Sequence, residues 1–424
     1  MRQINLPSQT DPWGITKTVG HTVSQNKNSL VKYVEFNITG RCQAGCISCM
    51  TPKAYADEKI FKSDDDLASE FKLFQLYLTQ LKKLGMEFVT IYGREPTLWD
   101  KEARPANKYL KKMISWLTDN LGVRVCLATS GISLEKSVLK TLFDHQGILF
   151  MKDWGSKESI EKLIKNRGAY TKIQKSWKMV KNLSKQYKKT RVIAEFLYTG
   201  INRADLLAFW KNCFKNRFLP FVEVPVIKGS CVKNLKQLKI NPKQYVQDIY
   251  NLSLLNLSLR YGISKEEAAK ACIWQPPYGS VFPSPCDKLT YGKGVFLERN
   301  GNLSICCGVD QQLGNLGDSD IKRKLQCNAL LKQVRQSYTH LEGFCRICDY
   351  SRKFKVCYGC RGNGYTYQTD SQDVFGQDPM CFGKLALDLA NKGKLKKFMH
   401  QNHINKILNN FRHCEPRRRR GEAI

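Results

Sequence analysis

The sequence has few acidic side chains for its length: 37 Asp and Glu stand against 69 Lys and Arg in 424 residues, giving a formal net charge of +32. It also lacks long apolar runs. No window approaches the roughly 20 consecutive apolar residues of a membrane-spanning helix. The first thirty residues are polar and contain no apolar stretch like that of a secretory signal. These absences argue against a membrane partner and predict a cytoplasmic protein.

The excess of positive charge is spread over residues 152–191, residues 211–243 and the segment after residue 392. Such a surface attracts polyanions, among them RNA and acidic peptides, but it is equally consistent with a lysine-rich solvated surface that has no specific partner. The sequence contains no aromatic-rich RNA-binding signature, so RNA is a possible partner that is not favoured.

Seventeen cysteines are present. In a reducing cytosol, cysteines serve as metal ligands more often than as disulfides. Cys126, Cys213 and Cys327 stand at no recognisable spacing and are interpreted as ordinary thiols. Most of the other cysteines fall into two groups with metal-ligand spacing.

Strand-like and helix-like segments alternate from residue 32 to about residue 226, which predicts an α/β fold with a parallel sheet. Ser63 and the three aspartates after it predict a helix start, and apolar residues at helical spacing continue to Gly85. Six such strand–helix units are predicted. We expect an N-terminal extension over 1–30, the α/β domain over 31–235, a helical bridge over 236–285, a cysteine-rich domain over 286–385 and a disordered basic tail over 386–424.

The first cysteine group is Cys42, Cys46 and Cys49, which directly follow the first predicted strand. Thiolates select zinc or iron–sulfur centres. A structural zinc site would need a fourth ligand, and no Cys or His lies within the next seventy residues. Three thiolates on a cubane of four irons would instead leave one iron open. A structural zinc knuckle remains the alternative.

The second predicted strand ends in the segment Gly93-Arg-Glu-Pro-Thr97. Together with the three cysteines, this segment resembles the core of radical SAM enzymes. The resemblance implies a partial (β/α)6 TIM-like barrel, a [4Fe-4S] cluster on Cys42, Cys46 and Cys49, and S-adenosylmethionine (SAM) bound at the open iron. Reductive cleavage of SAM would give a 5′-deoxyadenosyl radical that abstracts hydrogen from a substrate.

The same resemblance implies the residues that contact SAM. Glu95 would accept a hydrogen bond from the SAM ammonium, Gly93 would allow close approach of the backbone, and Ser130 would lie near the ribose. The sequence departs from the family at Ser48, where an aromatic residue is usual, and at Arg94, where a second glycine is usual.

The second cysteine group occupies the C-terminal part of the chain and resembles the SPASM extension of radical SAM enzymes. Its motifs are C-x14-G-x4-C from Cys286 to Cys306, two C-x2-C pairs, and a final Asp-Pro-x-Cys. The resemblance implies two auxiliary iron–sulfur clusters, although the gap between the two C-x2-C pairs departs from the family spacing. A zinc ribbon is the alternative.

Ligands carry over from the SPASM resemblance residue by residue. The distal cluster would be held by Cys345, Cys348, Cys357 and Cys381, and the cluster nearer the substrate by Cys286, Cys306 and Cys360. The fourth ligand of the second cluster stays open between Cys307, Cys272, Cys231, a substrate atom and no ligand at all.

The resemblance favours a peptide or protein maturase. The main alternative is a dehydrogenase or epimerase that acts on a sugar or an amino acid. An RNA-modifying enzyme is less favoured, and a non-enzymatic zinc-binding or nucleic-acid-binding protein is the least favoured alternative. An acidic electron donor of the flavodoxin or ferredoxin type is an expected partner, because the chain is strongly basic.

Overall fold

The computed structural model describes residues 29–51, 62–187, 189–270, 293–336, 339–348, 351, 357, 359–367 and 373–411. They belong to two compact units, one formed by Met1–Lys239 with Asp287–Arg335 and the other by Ile240–Cys286 with Gln336–Ile424. Within the described part of the chain, no helix combines the length and the apolar character needed to cross a membrane.

The first unit is built on a nine-stranded sheet in the order β6-β5-β4-β3-β2-β1-β7-β8-β9. The six N-terminal strands are β1 (Tyr33–Asn37), β2 (Phe88–Tyr92), β3 (Arg124–Thr129), β4 (Ile148–Lys152), β5 (Arg191–Leu197) and β6 (Leu219–Glu223). Neighbouring strands among these six are parallel. The predicted six-unit α/β arrangement is therefore confirmed.

Helices connect the parallel strands. They are α1 (Asp64–Lys83), α2 (Lys108–Asp119), α3 (Lys136–Asp144), α4 (Lys157–Leu163), α5 (Ala169–Ser184) and α6 (Leu206–Asn216). Short helices α7 (Ser230–Lys233) and α8 (Leu235–Leu238) follow β6. Because parallel strands joined by helices end at the same edge of the sheet, the loops after the strands share that edge.

Helix α1 illustrates why the sequence folds as predicted. Ser63 caps it with a reciprocal bond to Asp66, and its apolar stripe is buried. Phe74 of that stripe packs edge-on against Phe36 of β1, with ring centroids 4.9 Å apart. This contact fixes α1 on the strand that leads into the first cysteine group.

Three further strands extend the same sheet beyond β1: β7 (Val295–Leu297), β8 (Asn302–Cys306) and β9 (Val309–Asn315). Strand β7 pairs parallel with β1, and β8 and β9 are antiparallel. Helices α11 (Ile321–Cys327) and α12 (Ala329–Arg335) follow. The start of the predicted cysteine-rich domain, as far as Arg335, thus belongs to the first unit.

The second unit is helical among its described residues. Its helices are α9 (Pro242–Tyr261), α10 (Lys265–Lys270), α13 (Gly343–Ile347), α14 (Arg361–Tyr367), α15 (Phe382–Asn391) and α16 (Gln401–Phe411). Helix α15 packs against α9 and α16.

The prediction that residues 386–424 are disordered is wrong for the described part, 386–411. There, α15 and α16 bury apolar side chains, and the Tyr250 hydroxyl lies 2.9 Å from Nδ1 of the buried His403. Four lysines of this segment, Lys392, Lys394, Lys396 and Lys397, are exposed in the connection between α15 and α16. The remaining residues of the predicted tail, 412–424, lie outside the described part of the chain.

Candidate active site

The loop after β1 carries Cys42, Cys46 and Cys49, and two distant segments hold its backbone. On one side, Cys46 forms a β-bridge with Ile164, and the Ile47 N–H donates to the Leu163 carbonyl at 3.0 Å. On the other side, the Ser230 N–H at the start of α7 donates to the Cys49 carbonyl at 2.8 Å. The loop is therefore fixed by backbone bonds before any ligand binds.

The three thiols lie close enough to one another to interact electrostatically. Solvent reaches them, since Cys42 is exposed and the other two are partly exposed. Burial raises the pKa of Cys42, and it raises the pKa of Cys46 to about 12, where the neighbouring thiols add to the effect and Lys152 opposes it. Cys42 and Cys46 therefore hold their protons at neutral pH, and a positively charged metal core would favour the thiolate forms.

The donor set fits an iron–sulfur cluster. All three ligating atoms are soft sulfurs, which such clusters require. Within the described ranges, no three His, Cys, Asp or Glu side chains converge on a single metal ion. A cubane does not need such convergence, because each of its thiolates binds a different iron.

Lys152, the last residue of β4, adds a cation to this group of thiols. Burial by itself lowers the Lys152 pKa, but Glu195 and then the thiols of Cys46, Cys49 and Cys42 raise it above its ordinary value. Glu195 is the register partner of Lys152 on β5. The Lys152 ammonium also lies 4.7 Å from the ring centroid of Trp154. Lys152 therefore stays charged beside the cysteine loop.

Asp153 directly follows β4 and faces a cleft rather than the cysteine loop. Burial raises its pKa to about 6, and Asp205 adds to the shift. The cleft, of about 530 Å³, lies beside α5 and α6 and is also lined by Trp177 and Phe209. Of these two neighbours, Lys152 interacts with the thiols and Asp153 does not line the same site.

The turn after β2 docks directly onto the loop that leads to Cys42. The Glu95 N–H donates to the Arg41 carbonyl at 3.0 Å, and the Arg94 N–H donates to the Thr39 carbonyl at 3.3 Å. A Cβ atom at Gly93 would lie 2.9 Å from the Thr39 carbonyl oxygen, and the residue has a φ of 148°. Glycine is required here because the two loops approach so closely.

The Glu95 carboxylate is fully buried and joins the ends of β2 and β3. Its Oε1 accepts from the Thr97 hydroxyl at 2.8 Å and from the Thr129 hydroxyl at 2.6 Å. Its Oε2 accepts from the Ser130 N–H at 2.9 Å and from the Ser130 hydroxyl. A fifth donor, the Thr97 N–H, lies 3.4 Å from Oε1, so the roughly four lone-pair positions of the carboxylate are fully used. A ligand ammonium at Glu95 would share or replace these bonds, and the predicted SAM contacts of Glu95 and Ser130 stay predictions.

Several buried polar atoms around the cysteine loop have no hydrogen-bond partner in the described structure: Asn37 Oδ1, Gln43 Oε1, Ser48 Oγ and Trp154 Nε1. Buried polar groups without partners are rare and call for a ligand or water. Both donors and acceptors are represented among these atoms. Their chemistry fits a polar molecule such as SAM.

Asn202 follows β5, and the sequence predicts that it caps the next helix. Its side chain makes no capping bond. Its amide instead donates to the Trp154 carbonyl at 3.1 Å and to the Leu197 carbonyl at 2.9 Å, which joins the loops after β4 and β5. Asn202 thus stands at the N-cap position, as predicted, but its side chain joins two loops and does not cap the helix.

A fourth thiol, that of Cys231, lies near the cysteine loop. Its N–H donates to the Cys49 carbonyl at 3.3 Å, and burial, followed by the effect of Cys49, raises its pKa to about 11. From the sequence, Cys231 is a candidate only for the fourth ligand of an auxiliary cluster. More than 180 residues separate it from Cys49, so the sequence does not predict that the two residues are neighbours.

Cys306 and Cys307 lie at the turn between β8 and β9 in the first unit. Burial raises the pKa of Tyr92, with Cys307 and then Cys49 adding to the shift, so Tyr92 lies near both thiols. Lys228 also donates to the Cys307 carbonyl at 3.3 Å. Cys286 and Cys272 lie outside the described residues, and the predicted ligand set of Cys286, Cys306 and Cys360 stays a prediction.

Within the second unit, three of the four predicted distal ligands come together. Burial, then Cys345 and then Cys357, raises the pKa of the Cys381 thiol. Cys348 is the C-cap residue directly after α13, and both Cys348 and Cys345 are buried. Asp378 ties two ligand segments together, since it accepts from the Cys360 N–H and the Met380 N–H, each at 2.9 Å. Buried sulfurs on linked turns again fit an iron–sulfur centre.

Comparison with known proteins identifies the fold. No family model and no curated protein sequence matches the chain. A solved structure of anSMEcpe with bound AdoMet has a TM-score of 0.58 at 15% identity, covering 91% of this chain and 100% of the other. A second, with AdoMet and the Cp18Cys peptide, has a TM-score of 0.57 at 16% identity, covering 88% and 99%. The chain therefore has the fold of these anSMEcpe structures.

Proposed function

We propose that this chain is a radical SAM enzyme that cleaves S-adenosylmethionine reductively and abstracts hydrogen from a peptide or protein substrate. One observation carries the proposal: the loop with Cys42, Cys46 and Cys49 is hydrogen-bonded to the turn that holds Gly93 and Glu95. The two motifs that the sequence suggests for cluster and SAM are thus neighbours, and unpartnered polar atoms lie around them.

The cysteines, Lys152 and Glu95 have different proposed roles, each of which follows from the chemistry of the side chain. The three thiolates would hold a [4Fe-4S] cluster, and when bound such a cluster would supply the electron for the reductive cleavage of SAM. Lys152 offsets the negative charge of the thiolates and keeps a cation on the side of β4 that faces them. Glu95 fixes the ends of β2 and β3, and its carboxylate is the acidic group available to a SAM ammonium.

A peptide substrate is supported by the fold. The similar enzyme anSMEcpe has been solved with the Cp18Cys and Kp18Cys peptides bound. For the present chain the peptide is a proposal, against a sugar or amino-acid substrate as the main alternative. Its basic surface suits an acidic peptide segment.

The test of the overall function is anaerobic reconstitution followed by quantification of 5′-deoxyadenosine formed from SAM. Replacing Cys42, Cys46 and Cys49 together by Ala should abolish this product and remove about four irons. Cys327→Ala is the matched control, since that thiol is exposed on α11 and lies in neither cysteine group. Stoichiometric zinc with negligible iron in anaerobically prepared protein would refute the proposal.

The substrate class is tested by the polymer that accelerates SAM cleavage. A cognate peptide should increase the rate of 5′-deoxyadenosine formation and change in mass by a few hydrogens or a linked group. RNA bound only through surface charge should lose affinity with a log–log salt slope of about −0.7 per phosphate contacted, without faster cleavage. Faster cleavage with RNA would overturn the peptide proposal, and turnover of a small molecule alone would favour the sugar or amino-acid class.

An acidic one-electron carrier of the flavodoxin or ferredoxin type is the proposed electron donor. The segment after α4 bonds to the cysteine loop, for the Asn166 amide donates to the Gln43 carbonyl at 2.7 Å. Exposed cations stand on and beside this segment: Lys165, Arg167 and Lys172. An acidic carrier bound here would lie next to the cysteine loop, and opposite charge accelerates such encounters.

Reversing the charge of Lys165, Arg167 and Lys172 to Glu should slow reduction by the carrier protein at low salt. Reduction by dithionite should be unchanged. The matched control reverses three exposed lysines of α1 and α2, namely Lys72, Lys83 and Lys112. Equal slowing by both triple variants would assign the effect to overall charge and reject this docking surface.

A further inference from the structure

Arg361 is a buried cation at the start of α14, immediately after Cys360. It is 1% exposed. Its Nη1 donates to the Val374 carbonyl at 3.1 Å and to the Gly376 carbonyl at 3.0 Å. Its Nε and Nη2 are buried, and neither has a hydrogen-bond partner among the described residues.

The end of this guanidinium that has no hydrogen-bond partner lies next to the turn between Cys357 and Cys360. Gly359 stands between Cys357 and Cys360 with a φ of 63°, and a Cβ atom there would lie 2.6 Å from Arg361 Nη2. The same Cβ atom would lie 3.1 Å from the Asp378 Cβ. Glycine thus leaves the space beside the cysteine turn that the guanidinium fills.

The Arg361 guanidinium lies close to the thiol of Cys345. Cys345 lies near Cys381, which in turn lies near Cys357. Arg361 is therefore beside the group of sulfurs that the proposed distal cluster would use.

A buried arginine with unsatisfied N–H groups is unfavourable unless an acceptor meets them. Asp378 is the acidic neighbour, but its two oxygens accept from the backbone N–H groups of Cys360 and Met380. An iron–sulfur cluster with four thiolates carries negative charge and presents sulfur acceptors. Hydrogen bonds to those sulfurs and net charge are among the factors that set a cluster's reduction potential.

We propose that Arg361 is a positioning and tuning residue for the auxiliary cluster: its Nε and Nη2 donate to cluster or cysteine sulfur and raise the cluster's reduction potential. The proposal rests on the proposed function, because it needs an iron–sulfur cluster on Cys345, Cys348, Cys357 and Cys381. Reduction adds one electron and one negative charge, which the guanidinium stabilises, so the reduced state is favoured.

The test uses full-length protein in which Cys42, Cys46 and Cys49 are Ala, so that only auxiliary clusters contribute to the signal. Arg361→Gln should lower the equilibrium constant for one-electron reduction about tenfold or more, a shift of about 59 mV to more negative potential. Arg361→Lys keeps the charge but loses the planar set of guanidinium N–H donors, so the reduction potential should shift less than in Arg361→Gln. EPR-monitored redox titration gives these values without any dependence on activity.

Arg346→Gln is the matched control, because Arg346 lies one residue after Cys345, carries the same charge and is exposed. It should leave the potential unchanged. A second readout observes the unmutated residue. ¹⁵N-arginine labelling should give a ¹⁵N coupling to the reduced auxiliary cluster in pulsed EPR, and Arg361→Lys, which should remove the coupling, assigns it.

An iron-replete Arg361→Gln protein with an unshifted potential, or unmutated Arg361 without a ¹⁵N coupling, would overturn the inference. Failure of the proposed function looks different, for then the cysteines of the second unit bind zinc or no metal and no cluster signal exists. That result would also rule out the proposed role of Arg361, since there would be no cluster for it to act on.

Discussion

Ser130 is bonded to Glu95 twice, through its backbone N–H at 2.9 Å and through its hydroxyl, and both bonds end on Oε2. The loop after β3 is thereby held to the turn after β2 by one buried carboxylate. Glu95 consequently has a structural role as well as the SAM contact proposed for it, and two substitutions separate these roles.

Glu95→Ala should weaken SAM binding about tenfold to a hundredfold, because a charged hydrogen bond contributes about 1.5–3 kcal/mol. It should also lower the free energy of unfolding, since the buried hydroxyls of Thr97 and Thr129 lose their acceptor. Glu95→Gln keeps the shape and an acceptor and should lose SAM affinity with less loss of stability. Calorimetric SAM titration and thermal unfolding measure the two effects, and unchanged affinity in both variants would leave Glu95 a purely structural role.

Lys152→Met should lower the reduction potential of the cluster on Cys42, Cys46 and Cys49 and slow 5′-deoxyadenosine formation. The reason is that Lys152 is the cation that interacts with all three thiols. Lys152→Arg keeps the charge and should retain most of the activity. A spectroelectrochemical titration checks the potential, and an unshifted value in Lys152→Met would contradict this role.

Asp153 should make stability depend on pH. Its folded pKa of about 6 exceeds the ordinary value of 3.8, so the folded state binds this proton more tightly than the unfolded chain. The stability it contributes is present below about pH 4 and is lost as the pH rises through 6, by about 3 kcal/mol in all. Asp153→Asn should remove this dependence and raise the melting temperature at pH 7 more than at pH 4.5. The exposed Asp65→Asn is the control, and equal shifts at both pH values would rule the effect out.

Cys231→Ala should leave iron content and SAM cleavage unchanged. Cys231 supports Cys49 through its backbone N–H, which alanine preserves. The measurement compares the iron content of Cys231→Ala with that of Cys49→Ala, which should lose one cluster. A loss in Cys231→Ala of about four irons together with the loss of 5′-deoxyadenosine formation would instead identify Cys231 as a thiolate ligand of the first cluster, on the iron that SAM is proposed to use. The same loss of iron with 5′-deoxyadenosine formation retained would make Cys231 a ligand of an auxiliary cluster.

The parallel sheet and its helices could be predicted because their signals are local. Ser63 and Gly85 bound α1, and apolar spacing identifies its buried face. Contacts between distant segments carry no such signal. The approach of Cys231 to Cys49 and the pairing of β7 with β1 depend on the tertiary fold. Helix α16 was missed because charge around it suggested disorder, whereas a few buried side chains such as His403 and Ile404 hold it in place.

The position of β7 beside β1 has a consequence for biogenesis. Strand β1, whose loop carries the first three cysteines, pairs with β2 on one side and with β7 on the other. During synthesis the ribosome must add more than 250 residues after β1 before β7 emerges. Until then one edge of β1 stays open, and an exposed strand edge invites pairing with other chains. Nascent chains that stop before Val295 should therefore aggregate, and metal insertion at the first loop is expected to follow completion of the sheet.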